Sequence, residues 1–214
     1  MSAGGLQARA LGCTMGHRKL FEALHFTIEA GQWLMLAGPN GSGKSTLLRI
    51  LAGLMSPESG EVWWRGAPRK AGDPLWHASV LYQGHANGWK EQLNTTENLA
   101  MQTGLDQGAG ASGASMQAID SALERVGLAR QRRLAFARLS AGQRRRLGLA
   151  RLVLIRRPLW LLDEPTTALD TDGQQLFGEL LDAHLDAGGG AVIATHLPFP
   201  AAREPHALRL GNER

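Results

Sequence analysis

The chain has 214 residues, of which 43% are hydrophobic and 20% charged, a balance typical of a globular protein with one sizeable α/β domain. Its single cysteine, Cys13, excludes an intrachain disulfide, and no apolar run approaches the ~20 residues needed to cross a bilayer. The first thirteen residues contain no continuous apolar segment. We therefore expect no secretory signal, and we expect membrane association only through a partner.

The formal net charge is +4, and much of the positive excess lies between residues 130 and 157. A solvated helix face explains such a run of arginines. Contact with nucleic acid or a position close to a membrane surface are the alternatives.

The first third of the chain predicts strands on both sides of a glycine-rich turn. Residues 20–30 alternate apolar and polar side chains, which predicts a strand, and residues 34–37 predict a short buried strand. The turn at residues 38–43 is followed by apolar residues at helical spacing over 45–54. Residues 61–65 predict a further strand. The order strand, glycine loop, helix is the first indication of function.

The rest of the chain alternates predicted helices and strands. Residues 104–115 are rich in Gly, Ala and Ser and predict a flexible loop, and 116–126 predict an amphipathic helix. A second helix is predicted over 144–155, with buried strands over 159–162 and 191–195. Strands that alternate with helices indicate a parallel sheet covered on both faces.

The glycine-rich turn fits the phosphate-binding pattern G-x-x-x-x-G-K-[ST] in full. Glycines allow backbone amides to approach a polyphosphate, and the positive end of the following helix dipole points at it. Lys44 would supply a mobile charge to the β- and γ-phosphates, and Ser45 a hydroxyl to Mg²⁺. The predicted nucleotide-binding residues are Gly38, Pro39, Asn40, Gly41, Ser42, Gly43, Lys44, Ser45 and the adjoining Thr46.

The strand predicted over 159–162 ends in two carboxylates, Asp163 and Glu164. Asp163 would hold Mg²⁺, and Glu164 would polarise the attacking water.

Three further segments resemble the motifs of ABC ATPases, in that family's order. Residues 139–143, Leu-Ser-Ala-Gly-Gln, are similar to the signature motif, with Ala141 where glycine is commoner. Residues 168–170 resemble the D-loop, and Thr195-His196 resembles the switch-histidine segment. The resemblance implies an α/β P-loop NTPase of the ABC ATPase type over 1–214, with a parallel core sheet, a small antiparallel β subdomain and a helical subdomain at roughly 88–156.

The same resemblance implies the mechanism. Two chains would form a head-to-tail homodimer, with each ATP and its Mg²⁺ held between the phosphate loop of one chain and the signature of the other. His196 would contact the γ-phosphate, so the catalytic set is Lys44, Glu164 and His196. The remaining nucleotide contacts implied are Ser140, Ala141, Gly142, Gln143 and Asp170.

Two segments depart from the family pattern. Family members carry an aromatic residue that stacks on adenine, but the matching residues 11–15 contain none. Either base recognition is weaker, or Arg18 or Phe21 substitutes for the aromatic, and both alternatives remain open. At the glutamine loop, counting back eight residues from Leu93 gives His85, while Gln83 stands two positions earlier. Either His85 has taken the place of the glutamine, which the spacing favours, or a register shift makes Gln83 the Mg²⁺ contact.

With this second departure, the chain resembles the haem-exporter ATP-binding subunits of cytochrome c maturation. The residues that carry this resemblance are Leu20-Phe21, Gly60-Glu61-Val62-Trp63, Gly84-His85, Glu97-Asn98-Leu99 and the 139–143 segment. It implies a translocase subunit, peripheral at the cytoplasmic face of the bacterial inner membrane, bound to a permease of the CcmB type and to haem-handling proteins. Its work would be haem export or release of a haem-loaded chaperone.

Two other functions remain open at this stage. One is an ABC transporter ATPase for another cargo, such as a lipid, peptide or metal. The other is an ABC ATPase that acts on nucleic acid, which we disfavour because such proteins usually carry two ATPase domains or long insertions in one chain. We therefore expect no nucleic-acid partner.

Overall fold

The computed structural model describes residues 5–70, 72–84, 88–107 and 113–211. His85, one of the two candidates for the glutamine-loop contact, lies outside them. The strands in these ranges are β1 (Leu6–Met15), β2 (Arg18–Ile28), β3 (Trp33–Ala37), β4 (Ser59–Trp64), β5 (Ala67–Pro68), β6 (Val80–Gln83), β7 (Leu159–Asp163), β8 (Gly190–Ala194) and β9 (His206–Arg209). The helices are α1 (Lys44–Ala52), α2 (Pro74–Ser79), α3 (Thr95–Gln107), α4 (Met116–Arg125), α5 (Ala141–Leu154) and α6 (Thr171–Asp186).

The strands form two sheets. Five make a parallel sheet in the order β6-β7-β8-β3-β9, and the other four make an antiparallel sheet in the order β2-β1-β4-β5. The fold predicted from the sequence, with a parallel core sheet and a smaller antiparallel one, is confirmed. The bounds of the helical subdomain stay a prediction, although α3, α4 and α5 all lie inside 88–156.

The parallel sheet is buried on both faces, which is why its central strands are continuous apolar runs. Every residue of β7 and β8 is buried. Successive side chains alternate between faces, so Leu161 packs into the cluster that contains α1, while Leu162 packs into the cluster that contains α5 and α6. This alternation decides which polar side chains at the strand ends face α1.

The antiparallel sheet contains a strand that the sequence patterns did not predict. In β1 the alternation is broken by register shifts between Ala8 and Leu11, where Ala10 adopts a φ of 51°. Such bulges interrupt the period of two that marks a strand. The chain's only cysteine, Cys13, is buried in β1, and burial, aided by the charge of Glu58, raises the pKa of its thiol.

Two of the predicted helical boundaries are wrong. Helix α3 continues through residue 107, so residues 104–107 of the predicted loop are helical, while 108–112 lie outside the described residues. Helix α5 begins at Ala141 rather than at Arg144 because Ser140 and Gln143 form a reciprocal capping box around its first turn.

Within the described ranges, no helix is long and apolar enough to cross a bilayer.

Candidate nucleotide site

The predicted site residues follow the carboxyl ends of neighbouring parallel strands. Ala194, at the end of β8, pairs with Leu36 of β3 on one side and with Asp163 of β7 on the other. The carboxyl ends of parallel strands meet at one edge of a sheet, where ligands of open α/β folds bind. The phosphate loop, the acidic pair and the Thr195-His196 segment therefore share this edge.

The phosphate loop needs its glycines for backbone reasons. Gly38, Gly41 and Gly43 have φ angles of 141°, 76° and 102°, which are unfavourable for residues with a side chain. At Gly38 a Cβ would also collide with the carbonyl oxygen of Leu210. Gly43 caps α1, so Lys44 is the first helical residue, and Ser45 and Thr46 follow it half-buried. Pro39 and Asn40 are exposed.

Lys44 is a buried cation in the phosphate loop. The residue is 8% exposed, and its ammonium donates to the carbonyl oxygens of Gly38 at 2.7 Å and Pro39 at 3.1 Å. Among the residues that the structure describes, it forms no ion pair. The hydroxyl of Ser42 in the same loop is buried without a hydrogen-bond partner. A buried charge needs compensation, so these groups fit a polyanion.

Glu164 and His196, 32 residues apart in sequence, meet at this edge. The Nδ1 atom of His196 lies 2.9 Å from Oε1 of Glu164, and the hydroxyl of Thr167 lies 3.3 Å from Oε2. Glu164 has a φ of 51°, and its amide donates to the carbonyl of Ala194 at 2.8 Å. A strained backbone held by neighbours is frequent at functional sites. Each carboxylate oxygen of Glu164 thus has a partner, His196 for Oε1 and Thr167 for Oε2.

Asp163 and Gln83 face opposite sides of the sheet. Asp163 follows Leu162, whose side chain faces α5, so Asp163 faces the α1 side, where it is 5% exposed. Gln83 pairs with Leu162 in register and therefore faces α5, where a Cβ on Gly148 would clash with its amide nitrogen. Gln83 and Asp163 therefore point to opposite faces of the sheet, and the Mg²⁺ contact that the register-shift alternative gives to Gln83 stays a prediction.

The signature segment lies at the exposed start of α5. The hydroxyl of Ser140 accepts from the amide of Gln143 at 3.2 Å, and the Gln143 side chain accepts from the amide of Ser140 at 3.0 Å. Ala141 is exposed as the first helical residue. A Cβ on Gly142 would lie 3.1 Å from the carbonyl oxygen of Ala168. In the described part of the chain, the signature thus contacts the D-loop-like segment.

Asp170 has an internal role in this structure. Its carboxylate caps α6 through the amide of Gly173 at 3.0 Å and pairs with Arg146 at 2.6 Å. The hydrogen bond from Arg146, followed by that from Gly173, lowers the pKa of Asp170. Its predicted contact with nucleotide stays a prediction.

The structure separates the two proposed substitutes for the adenine-stacking aromatic. Phe21 is 8% exposed, and its ring carbons lie 3.4 Å from the position of a Cβ on Gly43, so it packs beneath the phosphate loop. Arg18 is exposed, and one guanidinium nitrogen lies 3.6 Å from the position of a Cβ on Gly41. Of the two candidates, Arg18 lies on the outer side of the loop, and its role as a substitute stays a prediction.

The arginine run bonds mainly to the chain itself. Guanidinium groups in this run donate to carbonyl or carboxylate oxygens of the chain; they belong to Arg132, Arg144, Arg145, Arg146, Arg151 and Arg157. Arg144 is exposed all the same, and the solvated helix face expected from the sequence stays a prediction. Arg145 and Thr167, which contact the catalytic segment, were missed because neither belongs to a motif used above.

Known proteins match this geometry in sequence and fold. The family model for ABC transporters matches residues 21–167. The cytochrome c biogenesis ATP-binding export protein CcmA of Cupriavidus pinatubonensis is 45% identical over 209 residues, covering 96% of this chain and 88% of that protein. CcmA of Salmonella typhi is 43% identical over 199 residues, covering 93% of each.

Solved structures show the same fold. A putative ABC transporter ATP-binding protein from Pyrococcus furiosus superposes with a TM-score of 0.79 at 23% identity, covering 96% of each chain. The dimeric bacterial ABC transporter cassette MJ0796 superposes with a TM-score of 0.77 at 24% identity, covering 89% of this chain and 88% of that one. From the family match and the full-length relatives, we conclude that the chain belongs to the ABC transporter family, in its CcmA group of cytochrome c biogenesis ATP-binding export proteins.

Proposed function

We propose that this chain is the ATP-hydrolysing subunit of an ABC transporter that acts in c-type cytochrome biogenesis, by haem export or by release of a haem-loaded chaperone. The observation that carries the enzymatic part is the Glu164–His196 pair at the same sheet edge as the phosphate loop. The cytochrome part rests on the CcmA relatives, which cover nearly the whole chain.

The substrate is ATP, held by the phosphate loop. Lys44 exchanges its two carbonyl acceptors for phosphate oxygens, and backbone N–H groups of residues 38–46 other than Pro39 supply further donors. Ser45 and Asp163 fit Mg²⁺, since a hydroxyl and a carboxylate are the oxygen ligands that this ion prefers. When bound, Mg²⁺ neutralises charge on the phosphates.

Glu164 is the general base, and His196 is its partner. An ionised carboxylate only accepts hydrogen bonds, so Nδ1 of His196 donates to Oε1, and the other ring nitrogen can bind the γ-phosphate only when it carries a proton as well. Oε2, held by the hydroxyl of Thr167, is the second acceptor, and either oxygen can take the proton of the attacking water.

The working unit is a homodimer. Ser140 and Ala141 are exposed at the start of α5, and the neighbouring Gly142 lies against Ala168. The signature is therefore free to meet the phosphate loop of a second copy in head-to-tail fashion. Exposed amides at a helix start suit a phosphate group.

The membrane partner is a permease of the CcmB type, and haem-handling proteins act with it. A cleft of about 1010 Å³ lies at the β6 edge of the parallel sheet. Tyr82 and Thr103 line this cleft, and in sequence they flank the 85–100 segment. Leu54 and Leu105, which also line it, are 62% and 72% exposed. Exposed apolar residues in a cleft suit a partner helix. The chain then lies peripherally at the cytoplasmic face of the bacterial inner membrane.

A deletion strain tests this function. Loss of the protein should abolish holo c-type cytochromes and leave b-type haem proteins intact, as measured by haem staining and difference spectra. Complementation with Lys44→Ala should fail because the phosphate loop loses its cation, whereas Lys70→Ala, outside the site, should restore the cytochromes. Normal c-type cytochromes in the deletion strain would refute the haem assignment and leave the ATPase proposal standing.

A further inference from the structure

Three consecutive arginines follow the signature motif, and each binds a different segment. Arg144 donates back to the carbonyls of Leu139 and Ala137. Arg145 donates through Nε to the carbonyl of Thr167 at 3.2 Å. The third, Arg146, binds Asp170 and the carbonyl of Val126. The first turns of α5 are thereby fixed to three other parts of the chain.

The Arg145 contact continues to the proposed general base. The residue that it binds, Thr167, donates its hydroxyl to Oε2 of Glu164 at 3.3 Å, and Oε1 of Glu164 meets Nδ1 of His196 at 2.9 Å. An unbroken hydrogen-bonded series thus runs from the signature helix to the switch histidine. It crosses from α5 to the turn that follows β7, and then to the segment that follows β8.

Negatively charged groups also act on Arg145. The side chain is half-buried, and burial lowers the pKa of its guanidinium, while the charges of Glu164 and Asp163 act in the opposite direction. The positive charge of Arg145 is therefore stabilised by the two carboxylates at the end of β7. A planar guanidinium can donate to a carbonyl and still face a carboxylate, which an ammonium on a flexible stem does less well.

We propose that Arg145 is a positioning residue that holds the 164–167 turn, and with it the Glu164 carboxylate, in the orientation needed for hydrolysis. The proposal rests on the proposed ATPase function. Glu164 has an unfavourable left-handed backbone, so its side chain keeps its place only if neighbours hold the turn. Arg145, on the signature helix, holds the turn through its hydrogen bond to Thr167. The orientation of Glu164 therefore depends on the position of the signature segment.

The test compares Arg145→Met, Arg145→Lys and the matched control Arg125→Met, an exposed arginine in the last turn of α4, in the full chain. ATP affinity, kcat, KM and the thermal midpoint are measured for each. Arg145→Met should lower kcat by about tenfold and change ATP affinity by less than about twofold, because only transition-state positioning is lost. Arg145→Lys should recover at least about a third of kcat, and Arg125→Met should match the parent.

A double-mutant cycle with Glu164→Gln separates positioning from other roles. If Arg145 acts through Glu164, adding Arg145→Met to Glu164→Gln should lower the residual rate by less than about twofold. A further loss of about tenfold, an unchanged kcat in Arg145→Met, or equal losses of kcat and ATP affinity would each overturn the proposal. Unchanged turnover in Glu164→Gln and Lys44→Ala would instead refute the ATPase site itself.

Discussion

At the scale of single residues, the clearest expectation concerns Glu164. Glu164→Gln keeps the shape and one acceptor of the side chain but removes the base, so the variant should bind ATP, accumulate as an ATP-dependent dimer and lose hydrolysis by about a hundredfold or more. Nucleotide binding, size-exclusion chromatography and phosphate release measure the three effects. Lys44→Ala should instead lose phosphate affinity. Near-normal turnover in Glu164→Gln would remove the general-base assignment.

Nucleotide selectivity is a second expectation at this scale. Residues 11–15 contain no aromatic and Phe21 is buried beneath the loop, so the base lacks the aromatic platform, worth about 1–3 kcal/mol, that family members carry. Stacking on the exposed Arg18 would accept either purine, because every base has a π face, so the chain should bind ATP and GTP with affinities within about fivefold of each other. Competition binding with the two nucleotides measures this ratio, and a strong preference for ATP would show that another group reads the base.

The motif residues could be named from sequence, whereas their orientations could not. Lys44 and the Glu164–His196 pair follow from patterns that describe chemistry at fixed spacing. Gln83 was one of two candidates for the glutamine-loop contact because it stands near the expected position, but a shift of one residue along a strand reverses the face, so spacing alone does not fix its orientation. Arg145 looked like part of a charge run, and its contact with residue 167 depends on packing between α5 and the turn after β7.

At the scale of elements, the sequence predicts a helix or strand well where its capping residues or its apolar alternation follow a regular pattern. The capping box of α5 is readable as Ser140 followed by Gln143, and it places the helix start three residues before the apolar period does. Strand β1 has no equivalent signal, because bulges near Ala10 break its alternation and its pairing with β2 and β4 is set at long range. Short elements such as β5 and β9 likewise depend on their neighbours.

A stability prediction belongs to the contact between α6 and β7. The ring of His184 stacks on Trp160 with centroids 3.9 Å apart, and Nε2 lies 3.1 Å from the carbonyl oxygen of Gly190. Burial lowers the pKa of His184 below 6.5, only partly offset by that hydrogen bond. Between the two pKa values the unfolded chain binds more protons, so stability should fall as pH drops below about 6.5.

Thermal midpoints at about pH 8 and about pH 5.5 for the parent, His184→Phe and His17→Gln check this sign. His184→Phe keeps the stacked ring and loses titration and one hydrogen bond, so it should be less stable by about 1 kcal/mol at the higher pH and less sensitive to acid. The exposed His17 serves as the control and should leave the acid sensitivity unchanged. Equal acid sensitivity in all three proteins would contradict the assignment.

At the scale of the whole molecule, we expect membrane association to require a partner. The arginines of 130–157 are the charged groups most concentrated in sequence. Arg132, Arg146 and Arg151 pair with carboxylates, which leaves less uncompensated positive charge for anionic lipids. The chain should stay in the supernatant after centrifugation with protein-free anionic vesicles and sediment with vesicles that contain its permease. Salt-sensitive sedimentation with protein-free vesicles would contradict this.

The burial of Cys13 has a practical consequence for measuring how two copies move. This thiol is the chain's only one, it is 2% exposed, and its raised pKa keeps it protonated, so alkylating dyes react with it slowly. The natural sequence therefore provides a silent background for fluorescent or spin labels. One cysteine introduced at an exposed position such as Met116 would carry the only reactive label, and distances between labels on two copies would report closure in real time.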